Sequence, residues 1–173
     1  EISACLVGSE MCRRDRMIPR KGAEVAEITE KNMRDVLEVR KALEELAVQL
    51  ACDKITKEEI EEMKKAAEDF KKILKSKDIT EIAEADVRFH DIIYMATDNQ
   101  KLIQLLNNLR EQMYRYRVEY LKREEAHPQL IAEHAAIIEY ISKGEKKAAT
   151  DIMCKHIDNQ VTTVIDVIRT KQN

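Results

Sequence analysis

A chain of 173 residues with 36% charged side chains is long enough for one domain of moderate size and a substantial buried core. Three Gly, two Pro, no Trp and 4% aromatic residues exclude a strand-rich fold and point to long helices with short connections, packed through Leu, Ile, Val, Ala and Met. A formal net charge of −3, with Lys and Glu interspersed, argues against a nucleic-acid-binding surface over the whole chain, because phosphates are neutralised by clustered Lys and Arg.

Residues 1 to about 30 differ from the rest. They hold Gly8, Gly22, Pro19, Cys5, Cys12 and the basic cluster Arg13, Arg14, Arg16, Arg20 and Lys21, and no helical period runs through them. They read as an irregular or extended arm. From Asn32 onward the period is helical. The first helix, roughly 32–53, places Val36, Val39, Leu43, Leu46, Ala47 and Leu50 on one stripe. Thr56 opens a second, with Glu59 in capping-box spacing and Ile60, Met63, Ala67, Phe70 and Leu74 inward. Asp78 and Glu81 mark a third start, which runs to about Thr97. Asp98-Asn99 breaks the pattern and caps a fourth helix, which buries Leu102, Leu105, Leu106, Leu109 and Met113. Pro128 suits the first turn of a fifth, and Lys143-Gly144 ends it. A sixth runs from about Glu145 to Arg169. Short connections imply antiparallel neighbours, so the predicted architecture is an all-α, up-and-down bundle of about six helices with a short N-terminal arm.

The four cysteines (Cys5, Cys12, Cys52, Cys154) form no C-x-x-C pair, and their low density predicts reduced thiols. No stretch approaches the roughly 18 consecutive apolar residues of a membrane span, and no signal-peptide pattern is visible, which predicts a soluble, cytoplasmic protein with no membrane partner. The start at Glu1 rather than Met reads as that of a fragment.

Three of the four histidines fall where a bundle interior should be apolar. The inward stripe of the third helix reads Ile79, Ile82, Ala83, Asp86, His90, Ile93, Thr97. Asp86 and His90, four apart, stand one turn apart on the same face. The fifth helix contributes His134 among Leu130, Ile131, Ile137, Ile138 and Ile141; the sixth contributes His156 among Ala149, Ile152, Met153, Gln160, Val161 and Val164. A buried carboxylate is costly unless paired, and a buried imidazole needs partners for both ring nitrogens, so one divalent ion can satisfy all four groups. The donor set suits Zn, Ni, Co, Mn or Fe. The competing reading treats each histidine as a satisfied core residue and Asp86–His90 as an intrahelical pair. His127, in a polar lapse before Pro128, is a capping or surface residue.

The runs Glu38-Val39-Arg40 with Leu43-Glu44, Asp86-Val87-Arg88-Phe89-His90, Asn99 with Leu102, Glu133-His134, and Met153-Cys154-Lys155-His156 together resemble the FCD effector-binding domain of the FadR subfamily of GntR transcription regulators. The likeness covers about residues 30–170. It implies an antiparallel bundle that binds a divalent metal through Asp86, His90, His134 and His156, a small carboxylate effector beside that metal, a homodimer and no enzymatic activity. Arg40, at the family's E-x-R position, is a candidate carboxylate clamp, since a guanidinium offers a bidentate fork; the alternative is a surface ion pair with Glu44. Arg88 lies off the ligand stripe and reads as a surface or interface residue.

Met17 to Val25 resembles the end of the family's winged-helix domain, where the wing leads into the linker. A complete winged helix-turn-helix of roughly 60–70 residues does not fit before Asn32, so DNA binding through that domain is expected to be absent or incomplete here, whether by truncation or as an unusual remnant. A metal-dependent hydrolase in a helical bundle is the rival reading. It lacks an evident general base. Glu133 is turned from the face of His134 by about a hundred degrees, following from 3.6 residues per turn, and Tyr94, one turn from His90, is not an obvious base. A third reading is a metal-free dimerisation module.

Overall fold

A computed structural model describes residues 15–18, 22–25, 30–76 and 78–172. Among them stand a two-stranded hairpin, β1 (Asp15–Ile18) and β2 (Gly22–Val25), and six helices: α1 (Glu30–Lys54), α2 (Lys57–Ile73), α3 (Ile79–Ala96), α4 (Gln100–Leu121), α5 (His127–Ser142) and α6 (Lys146–Gln172). The helices form the antiparallel all-α bundle that the patterning predicts. Within the segment expected to be irregular or extended, β1 and β2 pair antiparallel with Asp15 opposite Val25 and Ile18 opposite Gly22. Residues 1–14, with Cys5, Cys12 and part of the basic cluster, lie outside the described residues.

The helix starts are those the capping residues specify. The Thr56 side chain accepts from the Glu59 amide while the Glu59 carboxylate accepts from the Thr56 amide, closing a capping box. Asp78 accepts from the amides of Thr80 and Glu81, and Asn99 from that of Leu102. Pro128 sits in the first turn of α5, where its missing N–H costs nothing. His127 is half-buried and its Nε2 lies 2.8 Å from the Leu121 carbonyl, a cap on the end of α4. At the α3–α4 turn Asp98 has φ 47°, a left-handed conformation that Asp tolerates. Gly144 closes α5 at φ 68°; a Cβ there would meet only the Cys52 carbonyl at 3.8 Å, so backbone conformation rather than space requires glycine.

α1 runs through the middle of the packing, against α3, α4, α5 and most extensively α6, while α2 covers α3 and α5. Phe70, Phe89, Met63, Ile93, Leu130, Ile137 and Met153 are fully buried and form the centre of the core. Two predicted faces need correction. The covered face of α1 is Met33, Leu37, Arg40, Glu44, Ala47, Val48 and Ala51, about one residue round from the predicted stripe. Val39 and Leu46 are 52% and 43% exposed. The reason is that α1 buries two charged side chains at the centre of its inner face, which a hydropathy period passes over. On α4 the inner face follows Leu102, Leu106, Met113, Arg117 and Tyr120, leaving Leu105 outside. No helix among the described residues is long and apolar enough to cross a membrane, and Cys52 and Cys154 are free thiols.

Candidate metal centre

His90 on α3, His134 on α5 and His156 on α6 converge in the core. Each offers a ring nitrogen, and these nitrogens lie within 4.8 Å of one another, all buried. Asp86 stands one turn before His90, also buried, with Oδ1 3.4 Å from His134 Nε2. The structure thus brings the four sequence-predicted ligand residues to one place. The three imidazoles form the tight group and the carboxylate sits at its edge.

Two of the rings are positioned from behind. Phe89 stacks on His134 with centroids 4.0 Å apart and planes inclined by 18°, and Phe70 meets the same ring at 5.1 Å. Phe89 precedes His90 in sequence, so a single turn of α3 supplies both a candidate ligand and the platform for the ring of α5. His156 Nδ1 lies 2.8 Å from Glu133 Oε2. Glu133 accepts in turn from Gln129 and Asn159. Donation from Nδ1 to this carboxylate leaves Nε2 as the acceptor nitrogen, the arrangement by which a carboxylate fixes a ligand tautomer. Gln160, one turn after His156, approaches that Nε2 at 2.9 Å.

A layer of charge surrounds the histidines. Arg40 donates from Nε to Glu44 Oε1 and from Nη1 to Gln160 Oε1, both at 3.0 Å. Its pairing with Glu44 is buried, not on the surface as the ion-pair alternative supposed. Tyr94 donates its hydroxyl to the same Glu44 oxygen, and His90 Nδ1 lies 3.9 Å from the other. Arg117 Nη1 stands 3.0 Å from Asp86 Oδ2. Glu44, Arg117 and Glu133 were not singled out as site residues from sequence, although Glu44 and Glu133 fall within the runs carrying the family likeness. Arg117 carried no signal beyond lying four residues beyond Met113 on the inner face. Arg88 is exposed and lines a shallow groove between α2 and α3, away from the histidines.

The electrostatics follow from burial and neighbours. Burial pushes the Asp86 carboxyl up, but Arg117, then His134 and His90, more than offset it and hold Asp86 well below the usual carboxylate range. Burial drives His90 well below its ordinary value, as do His156, Arg40 and Arg117, while Asp86 resists; burial also lowers His134. Both rings are therefore neutral and available as ligands. Burial and the Glu44 carboxylate raise Tyr94 well above the usual phenol range, and its proton is committed to Glu44. Glu133 is ionised, burial being outweighed by its bond to His156.

A cation fits this donor set. Both ring nitrogens of His90 and of His134, and both oxygens of Asp86, are buried without a directed hydrogen bond. The ion-pair distances to Asp86 bring charges close without satisfying those lone pairs. Buried polar atoms in such number are costly unless something binds them. Next to the cluster, Arg40, Met113, Arg117, Tyr120, Gln160 and Val164 line a cavity of about 10 Å³, room for about one water.

Residues 35–159 match the family model of the FCD domain. The uncharacterized HTH-type transcriptional regulator YdhC of Bacillus subtilis is 26% identical over 141 residues, which are 81% of this chain and 63% of that protein. The chain therefore spans 63% of the length of the curated relative it matches. Among solved structures, E. coli McbR/YncC shares the fold with a TM-score of 0.84 at 15% identity, over 93% of this chain and 81% of that one. The metal-free FCD domain of TM0439 is similar at a TM-score of 0.69 and 25% identity, over 84% of this chain and 99% of that domain.

Proposed function

The chain belongs to the FCD domain family, and from that premise we propose that it is the sensing and dimerisation domain of a GntR-type transcription regulator, holding a divalent metal and reading a small organic acid. The observation that carries this reading is the buried trio His90, His134 and His156, with Asp86 beside it and the nitrogens of two rings lacking hydrogen-bond partners. Asp86, His90, His134 and His156 would hold the ion. When bound, it supplies a positive, Lewis-acidic seat for a carboxylate oxygen.

Charge supports an anionic effector. The buried cluster contains two guanidiniums, Arg40 and Arg117, and three carboxylates, Glu44, Asp86 and Glu133. Counting the histidines as neutral, as imidazoles that ligate a metal must be, leaves one negative charge in excess, and a divalent cation reverses it to one positive. An isolated buried charge is costly, so a monoanion at the adjacent cavity would restore balance. Arg40 is the proposed clamp. Its guanidinium lines the cavity while Glu44 and Gln160 fix its orientation. Because the cavity holds only about one water, a ligand of several heavy atoms must spread α1, α4 and α6. α1 follows the β1–β2 hairpin, so that spreading would move the element leading to the proposed winged-helix remnant and couple effector to DNA affinity.

A homodimer draws support from α1. Val36, Val39, Leu43, Leu46 and Leu50 follow three- and four-residue steps, the spacing of a helix-packing seam, and all are half-buried or exposed. The metalloenzyme reading has no comparable support, since Tyr94 and Glu133 are both committed and the relatives are regulators. A cytoplasmic location accords with this function. Metal analysis of untagged protein should find about one divalent ion per chain. Thermal-shift screening against lactate, pyruvate, citrate and gluconate should then find a ligand that stabilises only metal-loaded protein. No bound metal, with no gain in melting temperature on adding one, would leave an inert bundle.

A further inference from the structure

The two buried arginines beside the histidines are held differently. Arg40 is locked by directed hydrogen bonds to Glu44 and Gln160. Arg117 is not. Its Nη1 lies 3.0 Å from Asp86 Oδ2 yet makes no directed hydrogen bond, so its hold on that carboxylate is one of charge. Asp86 is divided between two claimants, with Oδ1 toward His134 and Oδ2 toward Arg117. The Arg117 side chain also lines the cavity that Arg40, Tyr120 and Gln160 border, a space too small for the whole guanidinium but one toward which it can draw back from Asp86.

We propose that Arg117 is an internal cation that competes with the metal ion for Asp86, setting the metal affinity of the site, and turns toward the cavity when the ion takes the carboxylate. The inference rests on the metal-centre reading above. Three facts join in it. Asp86 faces both Arg117 and His134 at the edge of the imidazole group, and neither of its oxygens is satisfied by a directed hydrogen bond. Without a counter-cation it would be a lone buried charge, which the fold would have to neutralise by protonation. And a guanidinium a few ångströms from a divalent ion repels it strongly at low effective dielectric, so the arginine must lower affinity while it stays in place.

The test is metal affinity by competition with a chromophoric chelator, titrated from the loaded side with Zn²⁺ and Ni²⁺, on wild-type protein, Arg117→Met and Arg117→Lys. Starting from loaded protein keeps the measurement possible if Arg117→Met folds poorly without metal. Arg117→Met, similar in length but neutral, should bind at least about tenfold more tightly, and its melting temperature should rise more on metal addition than that of wild type. Arg117→Lys, which keeps the charge, should stay within a few-fold of wild type. Equal or weaker binding by Arg117→Met, with metal stabilising it no more than wild type, overturns the proposal while leaving the metal centre intact. Wild-type protein that binds neither ion removes the centre itself, and the proposal with it.

Discussion

Glu133 stands next to His134 in the chain but serves His156 in space, its Oε2 lying 2.8 Å from His156 Nδ1 across the α5–α6 interface. One helix thus delivers a candidate ligand and, from a face about a hundred degrees away, the carboxylate that orients another helix's ligand. Glu133→Gln retains the shape but replaces the ionised acceptor. Metal affinity should fall by roughly 10–100-fold, as for other carboxylates behind ligating histidines, while circular dichroism remains that of the folded bundle. Unchanged affinity in chelator competition would mean the contact only fills space.

The four proposed ligand residues were legible because their stripes interrupt otherwise apolar faces at helical spacing. The residues around them were not. Glu44 and Arg40 look like an ordinary exposed pair at four-residue spacing, and only the packing of α3, α4 and α6 around α1 makes them buried. The same pair explains why the apolar stripe of α1 misled: Val39 and Leu46 satisfy the period, but the covered face is centred on charge. Helix starts, by contrast, are local chemistry. Thr56, Asp78 and Asn99 could be placed from sequence because each cap is formed within three residues.

Removing Glu44 should show what that burial costs. Glu44→Ala strands the Arg40 guanidinium and takes the acceptor from the Tyr94 hydroxyl, and breaking a buried pair in this way costs about 3–5 kcal/mol. Urea denaturation of the single variant should register that loss. Arg40→Met combined with Glu44→Met should recover most of it, because no charge is left stranded. A double variant as unstable as the single would point to packing rather than charge.

Acidification should destabilise the metal-depleted protein. Burial holds His90 and His134 below the ordinary value of 6.5. His90 faces Asp86 and Tyr94 on α3, Arg40 and Glu44 on α1, Arg117 on α4, His134 on α5 and His156 on α6; His134 faces Asp86, Glu133 and His156. Below about pH 6.5 the unfolded chain binds more protons than the folded one, so this stability is present above that pH and is lost as pH falls toward the folded values. Urea midpoints measured at pH 7.5 and 5.5 should differ in that sense. A midpoint that does not move would show that the rings protonate as easily inside as out.

The half-exposed seam of α1 makes the last prediction. Val39 and Leu46 lie two helical turns apart on a surface bordered by Leu43 and Leu50, and a single exposed aliphatic residue needs no explanation, whereas five at three- and four-residue steps form a continuous strip. Charging it should separate protomers without disturbing the core, because neither side chain contributes to the buried cluster. Val39→Lys with Leu46→Lys should convert a dimer to monomer in sedimentation equilibrium, with the urea midpoint at low protein concentration little changed. If the double variant still sediments as a dimer, this strip is not the interface, and the partner must sit on another face of the bundle.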